Sequence, residues 1–410
     1  MRRECDVVVV GGGMVGAALA GLLARRAPDA TVTVLDAAAA PAWRPDAPHG
    51  LRVSALSAAS ARILECCDAW RTIAAGRISP YREMRVWDAA TAPYAAGAIH
   101  FSAADVAAAE LGHIVENDLV QLALCAALAR LANVELLHGA RLASLELAGE
   151  RAELRLEDGR RLRSRLVVGA DGAGSPSRAM AGLKVRGHDY EQSAVVANLR
   201  CERHHGYTAW QRFLVEGPIA LLPLADGRVS IVWSTTPERA VQLLAADDAA
   251  FCSAVTEAAD AVLGNVLATG PRAAFPLRMR WAPVYTRARF ALAGDAAHAV
   301  HPLAGQGVNL GFLDAAALSD VVAEGLAAGR DPGDPALLRR YERWRKGENL
   351  MAMAAFDGIN RLFSNASPTL GTLRRAGFTL VHRVGPMRSA FVKRAMGLQG
   401  DLPRAARPVA

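Results

Sequence analysis

Apolar positions along the chain fall first into an unbroken β-branched run, Val7 to Val10, the pattern of a strand buried on both faces. The run stops at Gly11-Gly12-Gly13-Met14-Val15-Gly16, and residues 17–26 then have helical composition and spacing. A second apolar strand, 32–35, ends in Asp36. Strand, glycine turn, helix, strand and acid in this register predict a dinucleotide-binding βαβ unit. Gly11 permits the tight turn, Gly13 lets backbone approach a pyrophosphate, and Gly16 lets helix and strand pack closely. Asp36, twenty residues past Gly16, is placed to accept hydrogen bonds from a ribose.

Further along, an Ala/Pro-rich loop (37–48) delivers Arg52 ahead of a helix over 58–70, and 82–87 reads as a short strand. A helix is expected from 114 to 131, with Asn117 and Gln121 four apart on one face. Strands follow at 134–137, 143–148 and 153–157, with a hairpin signal at Asp158-Gly159. An apolar strand then runs into Asp171-Gly172, with Arg178 one turn into a helix. Between 185 and 272 the period changes to alternation, which predicts an antiparallel sheet with one wet face and a helical insert at 246–263. The chain returns to the nucleotide-binding core at 290–295, a strand ending in Gly294-Asp295. Through His298 and Pro302 it reaches Gly305-Gln306-Gly307-Val308-Asn309, which opens a helix to Ala327. The tail, 335–402, reads as helices broken at Pro368 and Gly385-Pro386.

Composition narrows this picture little. The 410 residues are 52% apolar, enough for two domains or one elaborated one, and no apolar run approaches the roughly 20 residues that cross a bilayer. With no secretory leader pattern, a cytoplasmic protein is expected. Six cysteines without metal-ligand spacing read as buried thiols, and no metal site is expected. The formal charge of +7 suits an anionic partner surface or an ordinary solvated exterior, and nothing indicates nucleic acid.

Three motifs in this order resemble the single-component FAD-dependent aromatic hydroxylases, the para-hydroxybenzoate hydroxylase superfamily: Gly11 to Gly16, Gly169-Ala-Asp171-Gly172, and Gly294-Asp295-Ala-Ala-His298 with Pro302 and Gly305 to Asn309. The stretches Leu51-Arg52-Val-Ser-Ala-Leu56, Ala209-Trp-Gln-Arg-Phe-Leu214 and Gly217-Pro-Ile-Ala-Leu-Leu-Pro223, with the tail from Ala395 to Pro403, are similar to the ubiquinone-biosynthesis branch.

The resemblance implies an α/β fold. A Rossmann-like FAD-binding part would take 1–75, 101–184 and 273–345. An inserted antiparallel sheet, 76–100 and 185–272, would bind substrate, and 346–410 would form a helical tail. It also implies a set of cofactor contacts. Gly11, Gly13 and Gly16 would lie at the pyrophosphate, with Met14 and Val15 also among the cofactor contacts, and Asp36 at the adenine-side ribose. Arg52, Asn117 and Gln121 would lie near the ribityl-phosphate region. Asp171, Gly172 and Arg178 would serve FAD and the transient nicotinamide, and Asp295 the ribityl chain, with Gly294 beside it also among the cofactor contacts. Gly305, Gln306 and Gly307 would meet the flavin pyrimidine edge, with Pro302, Val308 and Asn309 also among the cofactor contacts. His298 and Pro302 are the candidates closest to the chemistry, and Trp210, Phe213, Leu222 and Pro223 the candidate apolar wall over the substrate.

The implied activity is ring hydroxylation of a polyprenylated phenol in ubiquinone biosynthesis, using NADH or NADPH and O2 through a flavin C4a-hydroperoxide. The alternatives are a related hydroxylase of a small soluble aromatic and a flavin-bound scaffold of a biosynthetic complex. The basic tail leaves open a peripheral contact with the inner membrane or with partner proteins.

Overall fold

The computed structural model describes residues 2–95, 97–299, 307–363, 393 and 396–408. The strand Arg2–Val10 lies inside the first sheet because its valines need cover on both sides: Val7, Val8 and Val9 have no exposed surface. Burying side chains of this kind contributes about 1.5–3 kcal/mol each. The sheet runs in the order Thr286–Arg287, Phe290–Leu292, Arg161–Gly169, Arg2–Val10, Val32–Asp36 and Val134–His138. All of these are parallel except the two-residue edge strand. A hairpin, Leu142–Ala148 with Arg151–Leu156, extends from the strand Arg161–Gly169. The first helix, Met14–Arg26, packs against an inner helix, Gly307–Ala327, which is apolar on nearly every side and correspondingly buried. A long helix, Pro335–Phe363, lies outside that one.

The second sheet is ordered His298–Ala299, Val266–Trp281, Arg186–Cys201, Val229–Thr235, Gly217–Pro223, Thr208–Leu214, Glu83–Asp88 and Ile99–Ser102. Its strands are antiparallel apart from the pair Thr208–Leu214 and Glu83–Asp88. One face, with Val195, Trp210, Leu221 and Ile231, packs under two helices, Pro237–Ala245 and Asp248–Ala258. The other, with Ala209, Leu222 and Val232, turns toward the nucleotide-binding part and packs on Ala55, Tyr81 and Ile114. Those three belong to a small sheet of Val53–Ser57, Gly112–Glu116 and Ser79–Tyr81.

Several elements depart from the expectation, each for a local reason. The sheet expected to have one wet face is covered on both, because the nucleotide-binding part occupies the second. Residues 114–116 are strand, since Gly112–Glu116 pairs with Val53–Ser57, and the helix begins at Asn117. The helix expected over 58–70 is two pieces, Ala58–Cys66 and Trp70–Ala74, separated by Asp68 at φ 59. The insert expected at 246–263 is shorter, Asp248–Ala258, and starts where Asp247 caps it by accepting from Ala250 N at 2.7 Å. A further helix, Pro237–Ala245, precedes it. Residues 273–281, expected in the nucleotide-binding part, continue the strand Val266–Trp281, held to Arg186–Cys201 along its length. The tail is helical to Phe363, and the breaks at Pro368 and Gly385-Pro386 lie outside the described residues.

Candidate active site

Register brings the motifs together. Val10 lies opposite Leu35 on one side and Gly169 on the other, and Gly169 lies opposite Leu292. The segments that follow these residues, Gly11–Gly16, Asp36, Asp171-Gly172 and Gly294-Asp295, therefore all leave the sheet at the carboxyl ends of adjacent parallel strands. That edge is where open α/β sheets bind ligands.

The glycine turn is shaped by contact. Gly11 has φ +108, and a Cβ there would lie 2.3 Å from the Ala170 carbonyl oxygen; a Cβ on Gly16 would lie 1.9 Å from that of Gly11. Gly13 differs: its backbone is extended, φ −66 and ψ −178, and a Cβ would meet nothing within 4 Å. The first helix starts there with no side-chain cap and no acid in its first turn. Its leading N–H groups, carrying about half a positive charge, are thus left without a side-chain acceptor at the cap.

Asp36 is nearly buried beside this turn. Its Oδ1 accepts from Ala38 N at 2.9 Å and its Oδ2 from Gln121 Nε2 at 3.4 Å, while Gln121 also donates to the Gly12 carbonyl at 3.0 Å. Asn117, expected beside Gln121, instead accepts from Ser54 Oγ at 2.7 Å. The loop before Arg52 is fastened by buried Glu116, which accepts from Gly50 N, Trp43 Nε1 and the Arg77 guanidinium at 2.8–3.1 Å. Arg52 itself is exposed, and among the described residues its guanidinium has no hydrogen-bond partner.

Asp295 sits across from Arg52. Its side chain is solvent-accessible at the carboxyl end of its strand, within electrostatic reach of His298 and Arg52. Loss of solvation there raises its carboxyl pKa, against the pull of His298 and Arg52. Gly294, at φ +61, makes the turn, and Val15 packs against both Gly294 and Gly311.

Other candidates turn inward. Asp171 accepts from Ser175 Oγ, Ser177 N and Ser177 Oγ at 2.5–2.8 Å, so it holds the start of the helix Pro176–Met180. Gly172 follows at φ +82. Arg178 donates to the Ala296 and Ala173 carbonyls, bracing this turn against the one at Gly294. Asn309 accepts from Ser57 N and Ser60 Oγ and donates to the Ala55 carbonyl, all within the protein. Gly307 and Val308 open the inner helix, whereas Pro302, Gly305 and Gln306 lie outside the described residues.

His298 is 2% exposed and committed to Asp314, a residue the sequence pattern did not single out. Asp314 also accepts from Gly294 N, Arg345 Nε and Asn349 Nδ2. Burial would raise its pKa, but His298 and Arg345 hold it down at about 2. An acid inside the apolar run 307–327 was the available signal. The wall candidates divide by strand alternation. Phe213 shares a face with Ala209, and Leu222 is on the side of the nucleotide-binding part. Trp210 and Pro223 are on the far side, Trp210 meeting Trp87 edge-on at 6.3 Å. Among the thiols, burial pushes Cys67 up to about 12 and Cys125 and Cys201 to about 11, which leaves them protonated.

Uncapped helix donors, open space before Gly13, and acids at two strand ends fit a flavin dinucleotide. A family model described as FAD binding domain matches residues 4–354. The chain belongs to that family, and its class is that of the FAD-dependent aromatic hydroxylases. Within the class it falls in the ubiquinone-hydroxylase branch. It is 38% identical to 3-demethoxyubiquinol 3-hydroxylase of Escherichia coli (strain K12) over 97% of this chain and 100% of that one. It is 37% identical to ubiquinone hydroxylase UbiL of Rhodospirillum rubrum over 96% and 90%. The p-nitrophenol 4-monooxygenase PnpA of Pseudomonas putida DLL-E4 shares the fold, with TM-score 0.76, 19% identity, and coverage of 97% and 99%.

Proposed function

We propose that the protein hydroxylates the aromatic ring of a polyprenylated phenol on the route to ubiquinone. One atom of O2 enters the ring as hydroxyl and the other leaves as water, with NADH or NADPH supplying the two electrons. Bound FAD supplies the hydride-accepting and oxygen-activating chemistry. The observation that carries the reading is the convergence of four strand-end motifs at one cleft, facing an apolar sheet, in a chain alike along its whole length to ubiquinone-pathway hydroxylases.

The chain's own residues bind and position. Gly11–Gly16 and the first helix would receive the pyrophosphate, Asp36 with Gln121 the adenine-side ribose, and Arg52 with Asp295 the ribityl side. Asp314 and His298 would set the Gly294-Asp295 turn from behind, and Asp171 with Arg178 its neighbour. The first sheet with its helices forms the FAD-binding part in this reading, and the second sheet with its two-helix cover the substrate part. Among the described residues no helix is long and apolar enough to cross a membrane. A prenylated substrate still calls for a peripheral contact with a bilayer or a partner complex. The exposed basic residues Arg339, Arg340 and Arg343 on the long helix suit an anionic surface of that kind.

The test is rescue of bacterial strains each lacking one ring hydroxylation, joined to assay of flavin-loaded protein with prenylated phenols. Restored quinone in one strain is expected, and the precursor accumulating in a deletion strain names the carbon. Rescue of none, with NAD(P)H oxidation stimulated solely by water-soluble phenols, overturns the pathway assignment.

A further inference from the structure

The edge of the first sheet and the long helix form a groove of about 560 Å3, between residues 284–287 and 335–350. Arg339, Arg343, Lys346 and Leu350 follow one another at steps of four, three and four, so they share one face of the helix, the face that walls the groove. Arg287 lines it from the edge strand. Four cations thus stand against one acid, Glu342, along the groove. That acid is already engaged. Its Oε2 accepts from Thr286 N at 3.1 Å and Thr286 Oγ1 at 2.8 Å, and its Oε1 lies 3.7 Å from Lys346 Nζ. Lys346 and Arg287 donate to the Pro283 and Ala181 carbonyls, which take a hydrogen bond without cancelling a charge. Arg339 and Arg343 are exposed, and among the described residues neither guanidinium has a hydrogen bond or an ion pair. Arg340, one position round the helix, is by contrast paired with Glu324 at 3.0 Å.

The groove changes character along its length. From Arg339 to Leu350 the helix rises about 16 Å, and the cationic wall runs into an apolar end. Val284 is 45% exposed there and Leu350 38%, with Met351 beside it at 55%. Positive charge without counter-charge, continuous with apolar side chains left in water, matches a molecule that is anionic at one end and apolar at the other. We propose that this groove seats the phosphate headgroup of an anionic membrane phospholipid, with Val284, Leu350 and Met351 against the acyl boundary. A soluble phosphate would satisfy the cations but leave the apolar end in water. This inference rests on the reading of a membrane-borne substrate for its purpose, though not for its geometry. Arg345 and Asn349, on the same helix, hold Asp314, so the docking element is fastened to the turn at Gly294.

The test uses the full-length, flavin-loaded protein and flotation with vesicles of phosphatidylcholine, with and without phosphatidylglycerol. Wild type is expected to bind the anionic vesicles at least about tenfold more tightly than the neutral ones. Arg339→Gln and Arg343→Gln each weaken that binding about fivefold, and Arg343→Lys keeps most of it. Leu350→Gln weakens the binding that survives high salt. Arg203→Gln, an exposed arginine between the strands Arg186–Cys201 and Thr208–Leu214, changes binding by less than about twofold. Flavin content and thermal midpoint check that each variant is folded. A loss from Arg203→Gln equal to that from Arg343→Gln reduces the attraction to net charge and overturns the inference, as does absence of binding to anionic vesicles. Displacement by inorganic phosphate at the phosphate concentration of the lipid makes the occupant a soluble anion and overturns it too. Vesicle binding by a protein that hydroxylates no prenylated phenol would count against the hydroxylase reading and leave this one standing. Quinone rescue by a protein that binds no vesicle would do the reverse.

Discussion

Asp314 accepts a 2.5 Å hydrogen bond from His298 Nε2, with both side chains buried. The same carboxylate accepts from Gly294 N at 3.2 Å, so the inner helix fixes the turn that presents Asp295 to the cleft. Arg345 and Asn349, from the long helix, complete its shell at 2.9 and 3.0 Å.

Replacing this acid should be costly. Asp314→Asn leaves Arg345 facing no counter-charge and takes from His298 its carboxylate partner, a loss of about 3–5 kcal/mol for a broken buried pair. The wild-type carboxyl has a folded pKa of about 2, below its ordinary 3.8. Its contribution is therefore complete above about pH 4 and declines as pH falls from there toward 2. Unfolding against pH should show the variant less stable near neutrality, with a shallower loss across that acid window and weaker flavin retention.

Two glycine substitutions separate fold from cofactor. Gly16→Ala drives a methyl into the Gly11 carbonyl and should disrupt the turn itself. Gly13→Ala meets no protein atom, so the flavin-free stability should stay within about 1 kcal/mol of wild type. Flavin affinity should nevertheless fall at least tenfold, as measured by titration of the apoprotein. Unchanged affinity would place the pyrophosphate elsewhere.

His205 gives a pH signature remote from the cleft. Its Nε2 donates to the Leu224 carbonyl at 3.1 Å and its Nδ1 accepts from Tyr207 N at 3.1 Å, a pairing open only to the neutral ring. Burial, then the adjacent His204, lowers its pKa to about 4. Below the unfolded value of about 6.5 the unfolded chain binds the extra proton, so stability falls between about pH 6.5 and 4, by a few kcal/mol at most. His205→Asn, with its Oδ1 in place of Nδ1, should flatten that window in urea titrations.

Asn309 ties the inner helix to the strand that follows Arg52. Asn309→Asp keeps the bonds from Ser57 and Ser60 but sets a carboxylate against the Ala55 carbonyl. A loss of about 1–3 kcal/mol is expected. Denaturant unfolding checks it, and the flavin dissociation constant should rise with it.

The nucleotide-binding edge was legible because Val7 to Val10, the glycine spacing and Asp36 each express a local rule. Two of the four wall residues were misplaced although alternation already separates them: Trp210 and Phe213 differ by three positions, and Leu222 and Pro223 are neighbours, so neither pair can share a face. Asp171 carried a local signal of another kind, since Ser175-Pro176 is a helix start that an upstream acid can cap. Asp314 left one trace, an acid in an apolar helix, which Asp320 and Glu324 share, and its shell was not legible. Its partners lie 16 to 35 residues away, and only packing decides whether an acid in an apolar helix is buried.

The order of strands at the sheet centre has a consequence for biosynthesis. Val10, Leu35 and Gly169 can be neighbours early, but the place beside Gly169 is filled by Leu292. A ribosome adding about 5–20 residues per second needs about 15–60 s to reach that point. Until then the nascent polypeptide offers half a socket, so vitamin-derived pigment can be captured only once translation has entered its final third.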